Sequence, residues 1–186
     1  MKTTPYGSWK SPFSAQTLVA EAVGLGSVSL LDAEICWIES RPSEAGRCVL
    51  MRRRADGRVE QRTLAPLNVR TRVHEYGGGA YAVDGEVAYC SNFADQRLCR
   101  VVPGQLPQPL TPDLAWRYAD GVVDRRRQRL LCVREDHTGT GEAVNTVAEV
   151  DLQSGACRLR SPSGQSSARA AGSWRAAGRW RSSSPC

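Results

Sequence analysis

The sequence predicts an all-β chain of short antiparallel strands, and three observations predict it. Twelve apolar runs of four to eight residues are separated by turn residues, which is strand rather than helix spacing. Asp56-Gly57 and Asp84-Gly85 sit between such runs, as hairpin turns do. The runs also recur in fours: Asp32-Ala-Glu-Ile-Cys-Trp37 aligns with Asp84-Gly-Glu-Val-Ala-Tyr89 at a spacing of 52, and Asp84 aligns with Arg127 at 43. Four short strands per repeat is the pattern of propeller blades. A two-sheet sandwich shows similar punctuation and stands as the alternative.

In chain order, residues 1–13 read as an irregular arm, and Ser14 can cap a helix over 15–22 that Gly24 and Gly26 end. Together 1–26 form an N-terminal arm with a short helix. The first unit, 27–64, has strands expected at 27–31, 34–40, 47–53 and 59–64. The second, 80–111, has them at 80–83, 86–92, 96–102 and 108–111. The third, 121–160, has them at 121–124, 129–135, 145–152 and 157–160. Trp37 and Tyr89 fall at equivalent places and are expected to pack between adjacent sheets, with Trp116 and Tyr118 doing the same job ahead of the third unit. From 161 to 186 strand periodicity is lost in an Arg/Ala/Ser mixture, which cannot offset the entropy of ordering and is expected to be a disordered basic tail, natural or out of frame.

The charge balance excludes one class of partner. Net charge is +6, but 161–186 supplies four arginines and no acid, leaving 21 basic against 19 acidic residues in the body. No nucleic-acid footprint is expected from such a body. Six of the seven cysteines lie in apolar runs without CxxC or Cys/His spacing, so they read as buried thiols rather than as disulfides or metal ligands. Reduced cysteines and the lack of a signal-peptide core or long apolar segment predict a cytoplasmic protein without a membrane partner. No cofactor or metal is expected.

One stretch is specific enough to suggest kinship: Asn68-Val-Arg-Thr-Arg-Val-His-Glu-Tyr-Gly-Gly-Gly-Ala-Tyr81. Its three glycines give access to positive φ and let another chain approach closely. With Tyr6-Gly-Ser-Trp-Lys-Ser-Pro12, Trp37-Ile-Glu-Ser-Arg-Pro-Ser43, Ser91-Asn-Phe-Ala-Asp-Gln-Arg97 and Val133-Arg-Glu-Asp-His-Thr-Gly139, it resembles the N-terminal β-propeller of the prolyl oligopeptidase family of serine peptidases. The likeness is to the acylaminoacyl- and dipeptidyl-peptidase-like branch and covers roughly residues 6–155. It favours a partial propeller of about three four-stranded blades. It also implies a parent enzyme in which the propeller admits short peptides to an α/β-hydrolase domain with a Ser-Asp-His triad. No Gly-x-Ser-x-Gly elbow is present, so no catalytic residue is assigned and the chain alone is expected to be inactive, the hydrolase domain being its missing partner. The alternative is a stand-alone propeller-like interaction module.

Candidate substrate or channel residues are Arg72, His74 and Glu75, with Glu135 and His137 from the third unit. Tyr76, Gly77, Gly78 and Gly79 form the structural motif beside them. In the functional reading, His74 and Glu75 guide a peptide or dock the hydrolase. In the structural reading, Glu75 pairs with Arg72 and Tyr76 packs between blades. Glu135 and His137 open the connection containing Gly139-Thr-Gly141 and could bind a cation or a peptide amine, or form solvated salt bridges of under about 1 kcal/mol each. That connection lacks the lysine and helix of a phosphate loop. Asp95 is expected to pair with Arg97 in a tight turn.

Overall fold

A computed structural model describes Pro5, Gly7, Ser14 and residues 22–160. Apart from Ala22, the helix expected over 15–22 lies outside the described residues, as do most of the arm and the tail 161–186. The described residues form three four-stranded antiparallel sheets. The first holds β1 (Gly24–Leu31), β2 (Glu34–Arg41), β3 (Arg47–Arg53) and β4 (Val59–Gln61). The second holds β5 (Tyr81–Asp84), β6 (Val87–Ser91), β7 (Leu98–Val101) and β8 (Gln108–Pro109). The third holds β9 (Trp116–Asp124), β10 (Arg129–Asp136), β11 (Val144–Asp151) and β12 (Cys157–Leu159). Each sheet is a meander in sequence order. This is the partial propeller the sequence predicts. No helix among the described residues is long and apolar enough to cross a membrane.

Strand alternation sends opposite faces of the middle blade to different neighbours. Ala88, Cys90, Cys99 and Val101 meet Cys36, Ile38 and Leu50 of the first blade. Tyr89 and Leu98 meet Tyr118, Leu130, Cys132, Ala148 and Val150 of the third. Blades therefore stack face to face, each junction a buried apolar layer of the kind whose burial drives folding.

The repeat is not quite the one expected. The β1–β2 turn is Asp32–Ala33 and the β5–β6 turn is Gly85–Glu86, so Tyr89 matches Cys36, not Trp37. A slip of one residue turns a side chain to the other face. Trp37 accordingly belongs to neither junction; it pairs across from Met51, and its indole N–H donates to Glu39 at 3.3 Å. A second equivalence went unread: Leu50 N–H donates to Thr63 Oγ1, and Leu98 N–H donates to Thr111 Oγ1, each at 3.0 Å. Both threonines are buried and satisfy a strand amide just past the fourth strand.

The third blade differs from expectation at its inner strand. β9 begins at Trp116, five residues before the run 121–124, because a bulge interrupts the pattern. Asp120 has φ +56° there, and Leu130 crowds the Cα of Gly121 to 3.1 Å from where a Cβ would sit. Trp116 and Tyr118 thus lie within the strand. Tyr118 packs in the junction, and Trp116 lies under the Arg134 guanidinium at 4.1 Å.

Because the sheets are meanders, loops joining second to third strands emerge at the same end as the connections between blades. Residues 42–46, 62–80, 92–97, 110–115 and 137–143 make up this loop end. Residues 32–33, 54–58, 85–86, 102–107, 125–128 and 152–156 make up the opposite turn end.

Candidate functional site

The connection from β4 to β5 builds the centre of the loop end. Residues 69–72 run extended into a turn: Val69, Thr71 and Val73 are buried, while Arg70, Arg72 and His74 face out. The chain then folds tightly, with Glu75 N–H donating to Arg72 O at 2.9 Å and Gly77 N–H to Val73 O at 2.9 Å. This holds His74 at φ +55° and Glu75 at φ +60°, left-handed positions costing a non-glycine residue about 1–3 kcal/mol each. Gly77 takes φ +87°. The next two glycines serve approach instead. A Cβ at Gly78 would stand 3.0 Å from Ala119 Cβ, and one at Gly79 3.0 Å from Asp120 Oδ1. Gly79 N–H donates to Asp120 Oδ1 at 2.7 Å, and Asp120 N–H donates back to Gly79 O at 2.8 Å, joining β5 to the β9 bulge.

Arg117 on β9 gathers the candidate residues. Its Nη1 donates to Glu75 Oε1 at 2.5 Å and to Arg72 O at 2.8 Å, and it pairs with Glu135 Oε2 at 3.3 Å. Glu135 is buried; its Oε1 accepts from His74 N–H at 3.0 Å, and its Oε2 lies 2.8 Å from His137 Nε2. Burial acts to raise the Glu135 carboxyl, but His137, the His74 amide and the Arg117 charge outweigh it and hold the acid below the usual range. Hydrogen bonding from Arg117 lowers Glu75 as well. Five sequence candidates, Arg72, His74, Glu75, Glu135 and His137, thus converge at one place. Arg117 was missed, although it stands directly across from Glu135 in the β9–β10 register. Starting the strand at 121 hid that pairing.

Three expected contacts differ. Glu75 pairs with Arg117 rather than Arg72, whose guanidinium lies 4.3 Å from the centre of the Phe93 ring. Tyr76 does not pack between blades: it is 98% exposed, carried outward by the left-handed turn before it. Asp95 accepts from the Arg97 backbone N–H at 3.1 Å and from Asn92 Nδ2 at 2.9 Å, while Arg97 Nε donates to Thr111 O. The guanidinium is drawn to the buried threonine's carbonyl instead of the turn.

Beside Arg117 opens a hollow of about 250 Å³ lined by Asp95, Gln96, Leu114, Trp116 and His137. Both imidazoles, His74 and His137, engage Glu135, and among the described residues neither holds a serine or cysteine. No cluster of three or more His, Cys, Asp or Glu among the described residues could hold a metal.

No protein-family model matches this chain, and no curated protein does. Solved structures do match. Puromycin hydrolase aligns over 86% of the chain at 35% identity with a TM-score of 0.74. A serine-to-alanine variant of puromycin hydrolase complexed with PGG aligns over 84% at 35% identity with a TM-score of 0.75. A puromycin-hydrolyzing peptidase of Mycobacterium tuberculosis aligns over 86% at 33% identity with a TM-score of 0.73. Fold and sequence together place the chain with the N-terminal propeller portion of the prolyl oligopeptidase family. The chain spans 27% of the length of each of these neighbours. Its place in that architecture is the propeller, with the Arg117 cluster at the blades' loop end.

Proposed function

We propose that these blades form part of the access-controlling propeller of a serine peptidase acting on short peptides. The observation that carries this reading is the 35% identity to puromycin hydrolase over 86% of the chain. In such an enzyme an α/β-hydrolase domain supplies the nucleophile, base and oxyanion donors. The propeller contributes steric selection, passing extended peptides and rejecting folded proteins. The loop-end cluster lines that route or meets the hydrolase domain. The described residues offer no nucleophile beside a histidine, which supports the reading that the chain alone does not cut peptides. The six cysteines among the described residues are free and four of them are buried, which supports a cytoplasmic setting.

Purified chain incubated with chromogenic acyl-amino-acid and dipeptide substrates, and with puromycin, is expected to give no turnover. Turnover abolished by a serine-directed phosphonate would overturn the inactive reading. A second reading, a self-standing interaction module, is favoured by one observation. The face of the third blade turned away from the second exposes Val122 and Val147, with Leu131 and Val133 half-buried between them. Stable capture of one partner, lost when Val122 and Val147 become serine, would select that reading.

A further inference from the structure

The acids of the loop-end cluster are already engaged. Glu135 holds Arg117 and His137, Glu75 holds Arg117, and Asp95 is held by Asn92 and the Arg97 amide. None of these three acids is left free to grip a peptide amine. Arg70 and Arg72 both face solvent and, like the exposed Arg53, Arg126 and Arg158, form no ion pair among the described residues; unlike those three, both lie over one aromatic ring.

The two guanidiniums are nonetheless held in place. Arg70 and Arg72 lie 5.0 and 4.3 Å from the centre of the same Phe93 ring. Phe93 is itself fixed, its N–H donating to Asn68 O at 2.8 Å, and Arg72 N–H donates to Gln96 Oε1 at 2.8 Å. Cation–π contact with one ring restrains two like charges that would otherwise separate. A planar oxyanion bridging them would relieve their repulsion and take paired, charge-assisted hydrogen bonds. Gln96 and Arg117, which flank the Arg72 backbone, also line the hollow, whose wall adds Leu114, Ala115 and Trp116. A small hollow with an apolar wall and the Arg117 cation in its lining suits the end of a short peptide.

We infer that Arg70 and Arg72, stacked on Phe93, form a clamp for the C-terminal carboxylate of a short peptide whose last side chains occupy the hollow beside Trp116. This rests on the peptide reading above and gives it a direction: the carboxyl end is held at the loop end of the blades.

The test is calorimetric titration of the full chain with trialanine, with its C-terminal amide and with propionate. Trialanine is expected to bind at least about tenfold tighter than the amide, with affinity falling as salt rises. Arg72→Gln and Arg70→Gln should each reduce trialanine binding towards the amide level, and Arg72→Lys should retain part of it. Both side chains are exposed, and unchanged near-ultraviolet circular dichroism confirms that the variants fold. Equal binding of acid and amide overturns the clamp while leaving the peptide reading standing. So does acid binding that neither glutamine variant weakens. Propionate bound through the arginines, with neither peptide bound, keeps an anion site and removes the peptide reading. Binding of none of the three probes overturns both.

Discussion

The two ends of this propeller portion each gather arginines and glutamates, and they use them oppositely. At the turn end, Glu86 is met by Arg54 at 2.6 and 2.9 Å, by Arg62 at 3.2 Å and by Arg52 at 3.2 Å. Arg62 Nη2 also reaches Glu86 O at 2.5 Å, and Arg52 donates to Gly85 O at 2.9 Å. Hydrogen bonding from Arg54 leads the causes that hold Glu86 down to about 2. This network links β3 and the end of β4 to the first turn of the second blade. At the loop end the backbone is left-handed at two successive non-glycine residues, a tyrosine is left in solvent and two arginines face outward without acids. Balanced charge between blades is joinery. Unbalanced charge on a strained, exposed segment has a cost that packing does not return, which is what the contact role proposed above would require.

The largest effect should come from breaking the joinery. Glu86→Ala leaves two buried arginines and Arg54 without their shared anion, and a loss of about 2 kcal/mol is expected in urea unfolding, the lower side of buried-pair deletions because the carboxylate is half open to water. Glu75→Ala at the other end should scarcely move the midpoint. Equal losses would erase the distinction. Next comes Glu135→Gln, which removes a buried charge but retains an acceptor. A loss of about 1 kcal/mol is expected, with shifted His74 and His137 imidazole resonances.

Acid should act in the same order. Glu86 lies at about 2, below its ordinary 4.5, so the stabilisation is full above pH 4.5 and is lost as pH falls from there through 2. Glu75 and Glu135 shift in the same direction. Unfolding free energy measured across this window should fall, and less steeply in Glu86→Ala. A slope identical to that of the parent chain would show that Glu86 is not the main proton acceptor. The smallest effect is Tyr76→Ser. No change in unfolding midpoint is expected, because its ring leaves no contact behind.

Much of the architecture was legible because the strand signal repeats. The bounds of β3 were read directly as 47–53, and those of β2, β10 and β11 to within one residue at each end. β9 was misread because a bulge breaks alternation at Asp120–Gly121, and period-two reasoning needs an unbroken ladder. That error propagated: with residues 116–120 left outside the strand, Arg117 had no partner to suggest it. The face of Trp37 was misread for a related reason, since aligning Asp32 with Asp84 slips the register by one. Convergence of His74 with Glu135 was not legible from spacing. They lie 61 residues apart and meet only because adjacent blades bring their loop ends together. The stacking of Arg70 and Arg72 on Phe93 depends on the isolated bridge Val69–Asn92, a single pairing that leaves no periodic trace.

The free thiols have a use beyond packing. Cys36, Cys90 and Cys99 line one junction, and Cys132 with Cys157 lines the other. Burial raises the Cys90 thiol and takes Cys99 to about 11 and Cys132 to about 12, so at neutral pH they react with alkylating reagents only once the layers part. Timed alkylation followed by peptide mass spectrometry would therefore clock each seam separately, an internal stopwatch for the order in which the leaves of the fan come apart.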